Sequence, residues 1–322
     1  MKAERGGNMK HVFIINPTAG KKNCTAELMD MAKGLAARHS LDLECILTKS
    51  AGHAMETARS LAQSGQEVRI YACGGDGTIN EVANGVAGFA NAAMTCIPVG
   101  TGNDFLKNFG DAAPLFADAE NLWNGPVLPL DAIKCNGRLA LTVACSGFDA
   151  QVADDVHKYG DLPLLKGQGS YILSLGVNFL LRSLGHKWTI TLDGEEMPGD
   201  YALAAVCNGR YYGGGFMPVA EARMDDGTLN TLIVRKVSRV QFLRFVGAYS
   251  KGLYYTLPQV AQCYTAKEIS IESPDQDIVT CLDGEIVHNR RVTIRLSERK
   301  VNFFGPEGCD PNATCKPLPE GA

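Results

Sequence analysis

The run Gly74-Gly75-Asp76-Gly77-Thr78 joins a strand-like segment, Val68–Cys73, to a helical pattern beginning near Ile79. Glycines placed there let the backbone turn through positive φ and present bare N–H groups to an anion. The helix that follows adds its positive end, so a phosphate is the natural guest. An aspartate among those donors would repel a phosphate, and its presence calls for a Mg2+ ion between the two. Taken alone, the same five residues could also be a tight strand-to-helix turn.

Two more loops carry the same chemistry. Asn16-Pro17-Thr18-Ala19-Gly20-Lys21-Lys22 follows the strand-like His11–Ile15 and leads into a helix over 25–39. Pro98-Val99-Gly100-Thr101-Gly102-Asn103-Asp104-Phe105 follows Thr95–Ile97. In an open α/β sheet, ligands bind at the carboxyl ends of the strands, where all three loops fall. The commoner phosphate motifs are missing. Gly20-Lys21 lacks Walker A spacing, Phe105 stands where a dinucleotide fingerprint needs its third glycine, and the protein-kinase set has no match. A different pairing stands near the end of the chain. Asp283 and Glu285, separated by Gly284, can approach one hydroxyl if the glycine permits a turn, and a carboxylate with raised proton affinity can deprotonate an alcohol. Asp283-Gly284 alone also signals a β-hairpin.

The elements that must position these residues fall into two styles. Over residues 9–129, strand-like runs (11–15, 43–47, 68–73, 95–99) alternate with helical ones (25–39, 53–64, 79–87, 113–123). That alternation argues an α/β nucleotide-binding domain, a parallel sheet with helices on both faces. Residues 130–304 read as a β-rich, sandwich-like domain interrupted by helical stretches at 168–184 and near 238–256. The tail 305–322, with four prolines and no periodicity, reads as disordered.

Composition narrows the function. The 322 residues are 45% hydrophobic and 20% charged, as in an ordinary globular protein of two domains. Net charge −4 and pI about 5.9 give no electrostatic case for nucleic acid. Eleven scattered cysteines, no Cys-x-x-Cys spacing and no opening signal segment read as reduced thiols in a cytoplasmic protein. The longest apolar stretch, Tyr171–Leu181, is about half of the roughly 20 residues a membrane span needs. Arg235, Lys236, Arg239, Arg244 and Lys251 can form a basic face toward anionic lipid, or simply a solvated helix face.

Seven segments in order now carry a resemblance: Asn16-Pro17, Gly74–Thr78 with Asn80-Glu81, Gly100–Asp104, Gly147-Phe148-Asp149-Ala150, Asn208 with Gly213–Gly215, Asp225-Asp226-Gly227, and Asp283-Gly284-Glu285. The chain resembles, over almost its whole length, the bacterial diacylglycerol kinase-like family of lipid kinases, relatives of sphingosine kinases and more distantly of NAD kinases. The resemblance implies an ATP- and Mg2+-dependent transfer of phosphate to the hydroxyl of a diacylglycerol-like or long-chain-base lipid, in a cleft between two domains. It implies a protein that visits the inner face of the membrane without spanning it, with a homodimer among the assemblies allowed.

Residue by residue, the same resemblance makes Asn16, Pro17, Thr18, Ala19, Gly20, Thr48, Gly75, Asp76, Gly77, Thr78, Ile79, Asn80, Glu81 and Thr101 the nucleotide contacts. Lys21 is either a phosphate partner or a solvated loop residue, and Lys166 stands near a lysine that matters in relatives. Asp76, Asp104 and Asp131 form a Mg2+ network acting partly through water. Glu285 becomes the base and Asp283 its helper. A structural Mg2+ falls to Asp226 with the carbonyls of Arg223 and Thr228, or to Asp225 if the register is one residue off. Two alternatives stay open: a soluble kinase acting on NAD, which shares Gly-Gly-Asp-Gly-Thr, and a catalytically idle sensor. Asn208, the Asp225–Gly227 turn and Asp283–Glu285 fit the lipid group, and five intact carboxylates oppose the idle reading.

Overall fold

The computed structural model describes residues 9–100, 102–160 and 184–319, with side chains from 156 to 160 left aside. Thr101, Lys166 and nearly all of the helix expected over 168–184 lie outside the described residues. The chain divides into two compact units. One comprises residues up to Asp131 together with Glu298–Ala313, the other Ala132–Ser297 and the segment from Thr314.

The first unit is built by β1 (Lys10–Ile15), α1 (Thr25–His39), β2 (Asp42–Leu47), α2 (His53–Gln63), β3 (Val68–Gly74), α3 (Asp76–Val86) and β4 (Ala92–Pro98). β5 (Val127–Leu130) and the late strand β17 (Val301–Phe304) complete its sheet, in the order β2-β1-β3-β4-β17-β5. All neighbours pair parallel except β17 with β5. β1 sits second in the sheet, and its run Val12–Ile15 is fully buried, the continuous apolar pattern of an interior parallel strand. Edge strand β2 instead shows an exposed-to-intermediate alternation. α2 buries the small-residue stripe Ala54, Ala58 and Ala62. A Cβ on Gly85 of α3 would stand 2.6 Å from the Ala58 methyl, so the glycine permits the close helix approach.

Three expectations are corrected here. The helix foreseen over 113–123 is a pair of 3-10 segments, Phe105–Ala117 and Ala119–Asn121, because Pro114 lies inside the first and Gly110 breaks it at φ 54°. The first unit also takes a strand from the region assigned to the second. Phe303 of β17 packs at 5.1 Å from Phe105, 5.4 Å from Phe109 and 5.8 Å from Phe116, an aromatic cluster that fixes the returning strand. Finally, the tail is ordered over its described residues. Gly305 donates to the Pro126 carbonyl, Pro311 and Asn312 are buried, Arg210 Nε donates to Thr314 Oγ1, and Lys316 N–H donates to the Ala220 carbonyl.

The second unit carries an eleven-stranded, mostly antiparallel sheet. Its chain order is β6 (Ile133–Cys135), β7 (Arg138–Ala140), β8 (Val143–Gly147), α4 (Phe148–Gly160), β9 (His186–Leu192), β10 (Glu195–Cys207), β11 (Leu229–Arg235) and α5 (Arg239–Tyr249). Then come β12 (Ala261–Ala266), β13 (Glu268–Glu272), β14 (Ile278–Leu282), β15 (Glu285–Asn289) and β16 (Arg291–Leu296). Period-two alternation splits β8 and β10 between two cores. Cys145, Leu203, Ala205 and Cys207 join Phe148, Phe242 and Phe245 in one, while Ala144, Ala204 and Val206 join Trp188, Ile190, Ile271 and Ile294 in the other. That one sheet serves two cores accounts for the sandwich-like sequence pattern.

Candidate active site

In the first unit the loops after β1, β2 and β3 meet where the sequence pointed. Asn16 Nδ2 donates to Thr78 Oγ1 at 3.1 Å, and Asn16 Oδ1 accepts from the Thr18 amide and hydroxyl. A groove of about 420 Å3 is lined by Asn16, Pro17, Thr18, Thr48, Gly77, Thr78 and Glu81, together with Lys49, Ser50, Ala51 and Ala54. That volume is of the size small-ligand sites use. Lys49–Ala51 belong to the same turn as Thr48, and Ala54, in the first turn of α2, is the lining residue that the sequence reading did not name.

The glycines act through proximity and not through the positive φ first expected. Gly74, Gly75 and Gly77 are absent from the positive-φ residues, because α3 already begins at Asp76. A Cβ on Gly74 would meet Thr78 Oγ1 at 2.2 Å, and one on Gly100 would meet the Gly75 Cα at 2.6 Å. Gly20, at φ 79°, faces the Val99 carbonyl so closely that a Cβ would stand 2.2 Å from its oxygen. Three backbone loops are thereby pressed together. The amides of Gly77 and Thr78, in the first turn of α3, have no helical carbonyl to receive them and suit an anion.

Other nucleotide candidates hold this frame. Glu81 accepts N–H groups from Gly52 at 2.8 Å and Ala54 at 3.1 Å, which caps α2 and fixes the Thr48–Gly52 turn. Asn80 is buried and accepts from Asn84 Nδ2 through both its carbonyl and its side-chain oxygen, and Ile79 is core. Asp76 Oδ1 accepts the Phe105 amide, Asp104 pairs with Lys107, and buried Asp131 pairs with Lys300 at 2.9 Å. Among the described residues no three His, Cys, Asp or Glu side chains gather to hold a metal by themselves. The structure therefore does not gather Asp76, Asp104 and Asp131 into a ligand set of their own, and an ion held by them would have to keep most of its waters and take phosphate oxygens.

In the second unit Asp283 and Gly284, at φ 47° and 98°, form the hairpin turn between β14 and β15. The Asp283 carboxylate accepts the backbone amides of Leu141, Thr142 and Val143 and the Thr142 hydroxyl. Asn208, the residue after β10, holds the same segment, donating Nδ2 to the Leu141 carbonyl at 2.7 Å. So Asp283 is committed to anchoring the turn. Glu285, first residue of β15, points a half-exposed carboxylate outward, 3.3 Å from Arg138 Nη1. Of the two carboxylates only Glu285 is open to receive a proton from a substrate. Arg138 had no signal in the sequence.

The Asp225–Gly227 loop distributes its carboxylates separately. Asp226 Oδ1 accepts the amide and hydroxyl of Thr228, while Asp225 pairs with Arg223 at 3.4 Å. A structural Mg2+ there would have Asp226 as a carboxylate ligand and would need backbone carbonyls for the rest.

The Gly147–Ala150 segment places a further polar group whose partners the sequence reading did not foresee. Asp149, first turn of α4, accepts both Tyr212 and Tyr249 hydroxyls beside a cavity of about 20 Å3 walled by Phe148, Phe216, Phe242 and Phe245. Burial pushes its carboxyl up, against the two tyrosine hydrogen bonds that lower it. Burial also raises both tyrosines well above the usual phenol range.

A family model described as the diacylglycerol kinase catalytic domain matches residues 10–135, and one described as a YegS C-terminal NAD kinase beta sandwich-like domain matches 142–304. A diacylglycerol kinase of Bacillus subtilis (strain 168) is 30% identical over 76% of this chain and 80% of its own length. One from Staphylococcus saprophyticus is 30% identical over 85% of this chain and 88% of its own. A crystal structure of a diacylglycerol kinase from Bacillus anthracis str. Sterne has the same fold, with TM-score 0.68 at 24% identity over 92% of this chain and 96% of that one.

Proposed function

The chain belongs to the diacylglycerol kinase family of lipid kinases, and from that premise we propose that it moves the γ-phosphate of Mg·ATP to the hydroxyl of a diacylglycerol-like or long-chain-base lipid. The observation that carries the donor half is the groove after β1, β2 and β3, where Asn16, Thr18 and Thr78 share hydrogen bonds and Gly77 and Thr78 of the first turn of α3 line the wall. Phosphoryl transfer asks for a held polyphosphate, dispersed charge and a base for the acceptor. The Asn16–Gly20 and Gly75–Glu81 loops hold the polyphosphate. Asp76, Asp104 and Asp131 would hold Mg2+, which disperses the phosphate charge when bound.

For the acceptor, Glu285 takes the hydroxyl proton as the oxygen attacks the γ-phosphorus, and the bond from that phosphorus to the β–γ bridging oxygen breaks to release ADP. Asp283 keeps the β14–β15 turn seated on Leu141–Val143, which fixes where Glu285 begins its strand. Among the described residues no helix is long and apolar enough to cross a membrane. The reading proposed is of a cytoplasmic protein that meets its lipid at the membrane surface. The test is radiolabelled γ-phosphate transfer from Mg·ATP in mixed micelles to diacylglycerol, monoacylglycerol, ceramide and sphingosine, with NAD as a soluble acceptor. A lipid phosphate that depends on Mg2+ is the expected product. Transfer to NAD alone, or none at all, refutes the reading.

A further inference from the structure

We propose that the outward face of α5 docks this protein onto an anionic lipid bilayer; the inference takes from the proposed function only that the acceptor is a membrane lipid. α5 opens with a complete capping box between Ser238 and Gln241, so its start is fixed. Its inward side chains Phe242, Phe245 and Tyr249 are buried, and Phe242 packs edge-on to Phe148 at 4.6 Å. The core is thus already served by one face of the helix.

The other face carries Val240, 62% exposed, and Leu243, 64% exposed. Arg244 and Gly247 fall on the same stripe, within about 100° of these two around the helix. Arg239, Arg235 and Lys236 on one side and Lys251 on the other are exposed as well. Between Gly227 and Lys267 the chain holds no aspartate or glutamate, although the whole protein has net charge −4. A run of cationic residues on and around a helix that carries two protruding aliphatic side chains complements one environment particularly well. Aliphatic tips enter the acyl boundary while arginine and lysine meet anionic headgroups. A second copy of the same face would bring like charges together, which opposes self-association there. The docked face and the aromatic wall beside Asp149 belong to the same helix, so membrane contact and the interior of this unit are mechanically joined.

Cosedimentation with phosphatidylcholine vesicles, with and without phosphatidylglycerol, tests the proposal on the full chain. The wild type is expected to prefer the anionic vesicles and to lose binding as salt rises. Leu243→Asp should weaken that binding roughly tenfold and Arg244→Gln roughly fivefold, with kinase activity in detergent micelles unchanged. Arg244→Gln keeps the test decisive should Leu243→Asp fold poorly, and thermal melts monitor both. Vesicle affinity equal in wild type and variants overturns the proposal. So does a dimer that the variants convert to monomer while vesicle binding persists. Vesicle binding that follows α5 in a protein phosphorylating no lipid in micelles supports the docking face and refutes the proposed function instead.

Discussion

Replacing Asp283 separates an anchoring role from a catalytic one. Its carboxylate receives three backbone amides, from Leu141, Thr142 and Val143, all in residues at most 5% exposed. Asp283→Ala leaves these donors without their acceptor, and a buried donor so deprived costs about 1–3 kcal/mol. Water reaches the turn side, so about 1–2 kcal/mol per amide is the working figure, or about 3–6 kcal/mol in total. Alanine is also unsuited to the left-handed backbone at φ 47°, which costs roughly another 1 kcal/mol. Set against a typical total of about 5–15 kcal/mol, that is a large fraction of the stability. Asp283→Asn tolerates the same φ and keeps one oxygen acceptor, so it should lose about half as much. Urea unfolding of the three proteins gives the ranking, wild type above Asn above Ala. ATP affinity measured by titration should be unchanged wherever the variants remain folded. If Asp283→Ala unfolds within about 0.5 kcal/mol of wild type, or Asp283→Asn abolishes turnover with no loss of stability, the anchoring argument is wrong.

Other expected outcomes are simpler to check. Glu285→Gln should lower kcat by about 10²–10⁴-fold with little change in melting temperature, since its ion pair with Arg138 is exposed; retained turnover would remove it as the base. Gly20→Ala should weaken nucleotide binding at least tenfold, because its Cβ would meet the Val99 carbonyl at 2.2 Å, and isothermal titration showing wild-type affinity would contradict the close-loop argument. His11, buried and hydrogen-bonded to Tyr71, has its imidazole held down at about 4 by burial, with the Arg69 charge adding to it. The unfolded chain binds that proton first, near 6.5, so the stability His11 contributes is complete above 6.5 and drains away as pH falls toward 4, by about 3 kcal/mol. The difference in stability between wild type and His11→Gln should therefore narrow across that window, and parallel pH curves would refute it.

The parallel sheet was legible because β1, β3 and β4 are short apolar runs punctuated by glycine and set between helical periods. α1 was readable to its ends. What escaped was set by distance in the chain. Nothing around Val301–Phe304 announces that it pairs with β4 some two hundred residues earlier, and its aromatic partners are recognisable only once Phe105, Phe109 and Phe116 are folded beside it. The phosphate loops were found from glycine content, yet the reason for the glycines was different: backbone crowding between Gly75 and Gly100 cannot be seen within either loop. Glu81 and Asp283 were recognised as site residues from their motifs, while their partners, the amides at Gly52 and Ala54 and at Leu141–Val143, are groups that every residue carries and no sequence highlights. Asp149 needed Tyr212 and Tyr249, brought in from 63 and 100 residues away.

β17 lies between β4 and β5 in the first unit's sheet, and it comes last in chain order among the described strands. On the ribosome, where domains otherwise fold in order as they emerge, the outer edge of β4 must wait for the entire second unit before its backbone groups are paired. All three phosphate loops are translated within the first third of the chain, but the sheet that supports them closes only when Val301–Phe304 arrives. A nascent or truncated chain ending before Val301 thus carries every nucleotide loop on an unfinished sheet with a sticky edge. Arrival of Val301–Phe304 and completion of the sheet under the candidate nucleotide loops become a single event.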